Sequence, residues 1–166
     1  EYLFQALEIM IKDDPTIVNK IQLQFIGRID PSIVNRVKRS SISTICFFLP
    51  YMEHKKSIAY LVNSDAALLI IDDVVNNSSI ITGKLYEYIG ARLPILALAP
   101  RGEAYNIITN NNLGIATDNP KCVEEILSAI KSLMEMKYTK ECSQYDRRVL
   151  TGKLAGIFNE TINAIP

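Results

Sequence analysis

Apolar residues recur along this chain at spacings that alternate between helical and extended. Leu3, Ala6, Leu7, Met10 and Ile11 fall on one helical face, and Asp13-Asp14-Pro15 closes that helix with residues suited to a turn. Ile21 to Gly27, reading IQLQFIG, alternates apolar and polar side chains into a glycine, which predicts a strand ending in a tight turn. Pro31-Ser32 suits the first turn of a short helix, Ser43 to Leu49 is a β-branched and aromatic strand ended by Pro50, and Glu53 to Val62 is helical. Ala66 to Ile71 is apolar at every position, the pattern of a central parallel strand buried on both faces.

Beyond Asp72 and Asp73, the polar stretch Asn76-Asn77-Ser78-Ser79 predicts a loop, Lys84 to Ala91 a helix and Pro94 to Leu98 a strand. Glu103 to Asn111 reads as a helix and Leu113 to Ala116 as a short strand. Asn119-Pro120 is placed to cap a long helix striped by Val123, Ile126, Leu127, Ile130 and Leu133. Leu150, Leu154, Ile157, Phe158 and Ile162 mark a last helix, a tail spanning about 147–163. Strands and helices alternating in this way predict an α/β fold, a doubly wound, Rossmann-like parallel sheet with flanking helices. No linker or shift in composition divides residues 1–166, so they read as a single domain. The tetrapeptide TGKL at Thr82–Leu85 and Thr151–Leu154 recurs without matching flanks and marks no repeat.

With 166 residues, 48% of them hydrophobic, the chain can bury a core that needs neither disulfides nor a structural metal. Eighteen basic residues balance 18 acidic ones, which argues against a nucleic-acid partner. Cys46, Cys122 and Cys142 are an odd, widely spaced set with His54 as the single histidine, so the sequence reads as a protein of a reduced compartment with no metal site. The apolar runs Ala66–Ile71 and Pro94–Pro100 fall far short of the roughly 18 residues of a membrane span, so no transmembrane segment is expected. Glu1 and Tyr2 open neither a basic region nor a cleavage site, and without an initiating methionine the chain reads as a piece of something longer.

Ligands of open α/β sheets bind at the carboxyl ends of the strands, which directs attention to the loops starting at Gly27, Leu49, Asp72 and Leu98. The third leads into Thr82, Gly83 and Lys84, where a helix begins and its free N–H groups, its dipole and a lysine make an anion site. Glu87 lies one turn further on the same face, where a carboxylate can accept hydrogen bonds from a pair of sugar hydroxyls. The alternative is an exposed Lys84–Glu87 ion pair with Gly83 as loop punctuation. A Walker loop is excluded, because Ser78 stands in place of its first glycine and Leu85 in place of its magnesium-binding hydroxyl. Arg101-Gly102-Glu103 opens another helix, so the amide of Gly102 serves either phosphate binding or plain capping. His54 shares a face with Ile58 and Leu61 and reads as a packing or capping residue. Asp72-Asp73 reads as a strand-end loop, Arg147-Arg148 as a solvated pair and Cys46 as core.

The stretch GKLYEYIGARLPILALAP resembles the C-terminal nucleotide-sugar-binding domain of GT-B fold glycosyltransferases of the family-4 (group 1) type. IQLQFIG resembles that family's second strand and glycine turn, FFLPYMEHKKSIAYLVNSDAALLI its next strand, helix and strand, and NNLGIATDNPKCVEEIL its closing unit. The resemblance implies that Glu87 is the second glutamate of the family's pair separated by seven residues and contacts ribose, with Ser79 where the first would stand. It further implies a diphosphate beside Thr82, Gly83, Lys84 and Gly102, a base beside Pro50-Tyr51-Met52, and a turn at Gly27 in the same cleft. The family's first strand has no counterpart before Tyr2, so a gap is expected between Ile21–Gly27 and Ala66–Ile71. The implied function is the donor half of a glycosyltransferase, using a UDP- or GDP-sugar, no cofactor and no metal, with unassigned catalytic residues. Its partner would be the N-terminal acceptor-binding domain of the same parent chain, in the cytoplasm, either free or, in the full-length protein, at the inner face of the membrane, and the isolated piece would be inactive. A sugar-nucleotide epimerase-like domain and a noncatalytic Rossmann-like interaction module are the alternatives.

Overall fold

Strands and helices alternate throughout the computed structural model, which describes residues 1–72, 81–136 and 141–163. Helix α1 (Tyr2–Asp13) buries Leu3, Phe4, Ala6, Leu7 and Met10 and stops where Asp14 turns extended. The Asp14 carboxylate then accepts from the Thr16 amide at 2.9 Å, starting a 3-10 turn over Pro15–Asn19. Strand β1 (Leu23–Ile26) leads to α2 (Pro31–Lys38), which is begun by Pro31 and capped by Asp30, whose Oδ1 accepts from Ser32 N–H at 2.8 Å. Then follow β2 (Cys46–Leu49), α3 (His54–Val62), β3 (Ala67–Ile70), α4 (Gly83–Gly90), β4 (Ile95–Leu98) and α5 (Glu103–Asn110). Strand β5 (Gly114–Ala116), α6 (Val123–Glu135) and α7 (Arg147–Asn163) complete the order.

All strand pairs are parallel and the fold is Rossmann-like α/β, but the strands form two hydrogen-bonded sheets, β1-β2 and β3-β4-β5. Alternation along β4 explains the layering. Leu96 and Leu98 face a core shared with Leu7 of α1 and Ile126 of α6, while Ile95 and Ala97 face Leu85 and Ile89 of α4 and Ile108 of α5. The first of these cores also takes in Leu23, Phe25, Cys46 and Phe48, so the α1 and α6 layer spans both sheets. Phe25 stacks on Phe48 at 5.4 Å and meets the edge of Phe4 at 6.1 Å.

Several elements differ from expectation for identifiable reasons. Strand β2 starts at Cys46 because Ser41–Thr44 form a 3-10 turn; Ile42 and Ile45 are both buried, and a three-residue turn brings such a pair to one side where an extended chain would separate them. Strand β3 is not central but an edge of its sheet, and Ile70 is 53% exposed although Ala67, Leu69 and Ile71 are buried. The strand buried at every position is β4. Asn119 does not cap α6; its carboxamide accepts from Lys121 N–H in a local turn, and Cys122 takes the capping position. The tail helix forms as read, yet Leu150, Leu154, Ile157, Phe158 and Ile162 stay exposed. The readings placed on Asp73, Asn76, Asn77, Ser78 and Ser79 lie outside the described residues. Among the described residues no helix is long and apolar enough to cross a membrane.

Candidate functional site

The candidate residues belong to segments that follow strands or open the next helix. At the end of β1, Gly27 has φ +126°, a conformation side chains rarely adopt, while its N–H still donates to the Leu49 carbonyl at 3.1 Å. Strand β2 ends at Pro50, Tyr51 and Met52, with Tyr51 77% exposed and Met52 half-buried ahead of α3.

Helix α4 is held by Leu85 and Ile89, both buried under β3 and β4, which leaves Lys84 and Glu87 on its exposed side. Thr82 sits at the capping position with extended backbone, and its carbonyl accepts from Leu85 N–H at 3.1 Å. Its hydroxyl makes no cap bond and is buried without a hydrogen-bond partner among the described residues. The N–H groups of Gly83 and Lys84 precede any carbonyl that α4 can offer them, so they and the helix dipole favour an anion there.

The ion pair proposed as the alternative reading does not form between Lys84 and Glu87. Glu87 instead lies 4.0 Å from His54 Nε2, and Lys84 has no ion-pair partner among the described residues. His54 is therefore not packed on Ile58 and Leu61; its side chain is 72% exposed, and as the first residue of α3 it turns toward α4. The Pro50–Met52 segment leads into α3 just ahead of His54. Tyr88, one residue on, donates its hydroxyl to the Leu68 carbonyl at 3.3 Å, and burial pushes its phenol pKa up.

At the ends of β4 and β5, sequence reasoning singled out Arg101 and Gly102 but missed Asp118 and Tyr105. Arg101 pairs with the Asp118 carboxylate, the Tyr105 hydroxyl donates to the same carboxylate, and the guanidinium lies 5.9 Å from the Tyr105 ring centroid. Hydrogen bonds from Arg101 and then Tyr105 hold the Asp118 carboxyl below its ordinary value, while Asp118 pushes Arg101 and Tyr105 up. The signal available was positional: Arg101 follows β4, Asp118 follows β5, and neighbouring parallel strands deliver both to one edge. Gly102 caps α5 in extended backbone, with its carbonyl accepting from Asn106 N–H at 2.9 Å, and makes no ligand-directed geometry of its own.

The remaining candidates stand apart. Cys46 is buried in β2 and its thiol is raised to about 11 by desolvation. Arg147 opens α7, and the Arg148 amide donates to Asp146 Oδ1 at 2.7 Å. Among the described residues no group of His, Cys, Asp and Glu is assembled to hold a metal ion. Chemically, the arrangement offers Lys84 beside a helix start with no ion-pair partner among the described residues, a carboxylate one turn away and a neutralised Arg101–Asp118 pair. No protein-family model matches the chain, and no curated protein matches it.

Proposed function

We propose that this chain is the donor-binding half of a glycosyltransferase that moves a sugar from a nucleotide diphosphate sugar to an acceptor held by another domain of its parent. The observation that carries the reading is the pairing of roles along α4: Lys84 at the helix start, without an ion-pair partner among the described residues, and Glu87 one turn on, turned toward the segment after β2. The diphosphate would lie on Lys84 and the amides of Gly83 and Lys84, the ribose hydroxyls on Glu87, and the base beside Pro50, Tyr51 and Met52. Gly27 and Gly102 would border this cleft. Negative charge develops on the departing diphosphate during transfer, so a lysine and a helix start placed there lower the barrier for bond cleavage. His54 would leave Glu87 when ribose arrives.

Calorimetric titration of the chain with UDP, GDP, ADP and their sugars tests the proposal. Saturable binding of one nucleoside diphosphate, and weaker binding of the same nucleoside without phosphate, is expected. Failure of the whole set to bind at millimolar concentration overturns it.

A further inference from the structure

Helix α7 carries an apolar stripe that the rest of the chain leaves uncovered. Leu150, Leu154, Ile157 and Thr161 recur at intervals of four, three and four residues, so they run down one side of the helix, with Phe158 and Ile162 beside them. None of these side chains joins either core, and the apolar ones are 45% exposed at Leu150, 50% at Leu154, 58% at Ile157 and Phe158 and 66% at Ile162. From Arg147 to Ile162 no residue of the helix is buried. A helix of this length is marginal by itself, because most helical stability comes from packing an apolar face. Gly152 and Gly156 weaken it further, through the backbone freedom that glycine loses in a helix interior. The stripe therefore has to be covered for the helix to hold its shape in water.

The charges beside the stripe select what covers it. In the heptad that the stripe sets, Leu154 and Thr161 take position a, Leu150 and Ile157 position d, and Lys153 and Glu160 both fall at position g, on one flank. These two stand two helical turns apart, about 10 Å along the axis, and neither has an ion-pair partner among the described residues. A second copy of the helix laid antiparallel answers the stripe and the charges in one register. Leu154 then meets Ile157 of the second copy and Leu150 meets Thr161. In antiparallel pairs the two g flanks lie side by side, which brings Lys153 of each copy to Glu160 of the other, twice by symmetry. A parallel pair would instead set Lys153 against Phe158, at position e, and leave the charge unanswered.

We propose that this chain self-associates as a symmetric dimer through antiparallel pairing of its α7 helices. When the two stripes meet, the five exposed apolar side chains of each copy bury roughly 1,000 Å² in all, the lower end of what a specific interface needs. That area fits a reversible dimer rather than an obligate one. This inference is independent of nucleotide binding.

Sedimentation equilibrium of the 166-residue chain tests it, with Leu154→Asp, Lys153→Glu, Glu160→Lys and the double exchange Lys153→Glu with Glu160→Lys as variants. The wild-type chain should pass from monomer to dimer as its concentration rises, with a midpoint at about 1–100 μM. Leu154→Asp should leave it monomeric through that range, while its urea midpoint, read where wild type is also monomeric and set by cores that α7 does not enter, stays that of wild type. Either single charge variant turns both symmetric contacts from attraction to repulsion and should weaken the dimer about tenfold, and the double exchange should restore it to within about threefold. A wild-type chain that stays monomeric to about 1 mM, leaving the stripe to another domain or protein, overturns the proposal. So does association that continues past the dimer, a dimer that survives Leu154→Asp, or one that the single charge variants leave unchanged or the double exchange fails to restore.

Discussion

Replacing Gly114 with alanine should unseat β5. A Cβ built there would lie 2.0 Å from the Ile95 carbonyl oxygen, 2.5 Å from its nitrogen and 2.7 Å from its carbonyl carbon. All three are backbone atoms of β4, so no side chain can swing aside, and normal contact requires the strands to part by about 1.5 Å. That displacement reaches the bonds Ile95 N–H to Leu113 O and Thr117 N–H to Ala97 O, both 3.0 Å, each contributing about 1 kcal/mol net. Overpacking adds about 1–3 kcal/mol, and Leu113, 1% exposed, moves with the strand. The expected loss is about 3–5 kcal/mol, a large part of the roughly 5–15 kcal/mol typical of a domain. Urea unfolding followed by far-ultraviolet circular dichroism should show the midpoint falling by roughly 2 M at unchanged slope. Gly90→Ala is the control, because nothing lies within 4 Å of a Cβ at that position, the last residue of α4, and it should leave stability within about 1 kcal/mol of wild type. A Gly114→Ala protein within about 1 kcal/mol of wild type would refute the close approach of β5 to β4.

Lys84→Ala should weaken nucleoside diphosphate binding by roughly 1–3 kcal/mol and flatten its salt dependence, whereas Glu87→Ala should erase the preference for ribo- over deoxyribonucleotides; calorimetry on both reads the split. Thr82→Val removes a buried hydroxyl that has no hydrogen-bond partner among the described residues and should raise the stability of the free chain by about 1 kcal/mol in the same urea assay. The Asp118 carboxyl is held below its ordinary 3.8, so its pairing stabilises the fold above that value and is lost as pH falls through the depressed one. The urea-midpoint gap between wild type and Asp118→Asn should therefore be widest near neutrality and close in acid. Cys46, raised to about 11 and buried, should resist thiol reagents at mildly alkaline pH until the chain unfolds, while Cys122 and Cys142 react in the folded state.

Helices proved easier to place than strands because their ends carry local chemistry. Asp30 and Pro31 start α2, and Asp13-Asp14-Pro15 stops α1, through bonds made within a few residues. Strand identity depends on neighbours that sequence does not show. Ala66–Ile71 and Pro94–Leu98 are both apolar runs, yet among the described residues only β4 is flanked by strands on both sides. The same limit applies to Ser43–Leu49, where β-branched residues suit a strand but the paired burial of Ile42 and Ile45 imposes a turn.

The candidate site was legible where it is linear and obscure where it is assembled. Thr82, Gly83, Lys84 and Glu87 sit on one turn and a half of helix, so their common face follows from spacing alone. His54 and Asp118 enter through contacts between elements, and each changes the electrostatics. Arg101, after β4, is tied to Asp118 and lies over Tyr105. Drawing it toward a ligand would strip Asp118 of the partner that favours its ionised form, and an approaching phosphate would meet that carboxylate's charge as well. Lys84 has no ion-pair partner among the described residues, and Glu87, one turn on, faces His54. On the proposed reading a diphosphate therefore gains most at the start of α4, and the salt dependence of binding should be carried by Lys84 and survive Arg101→Ala.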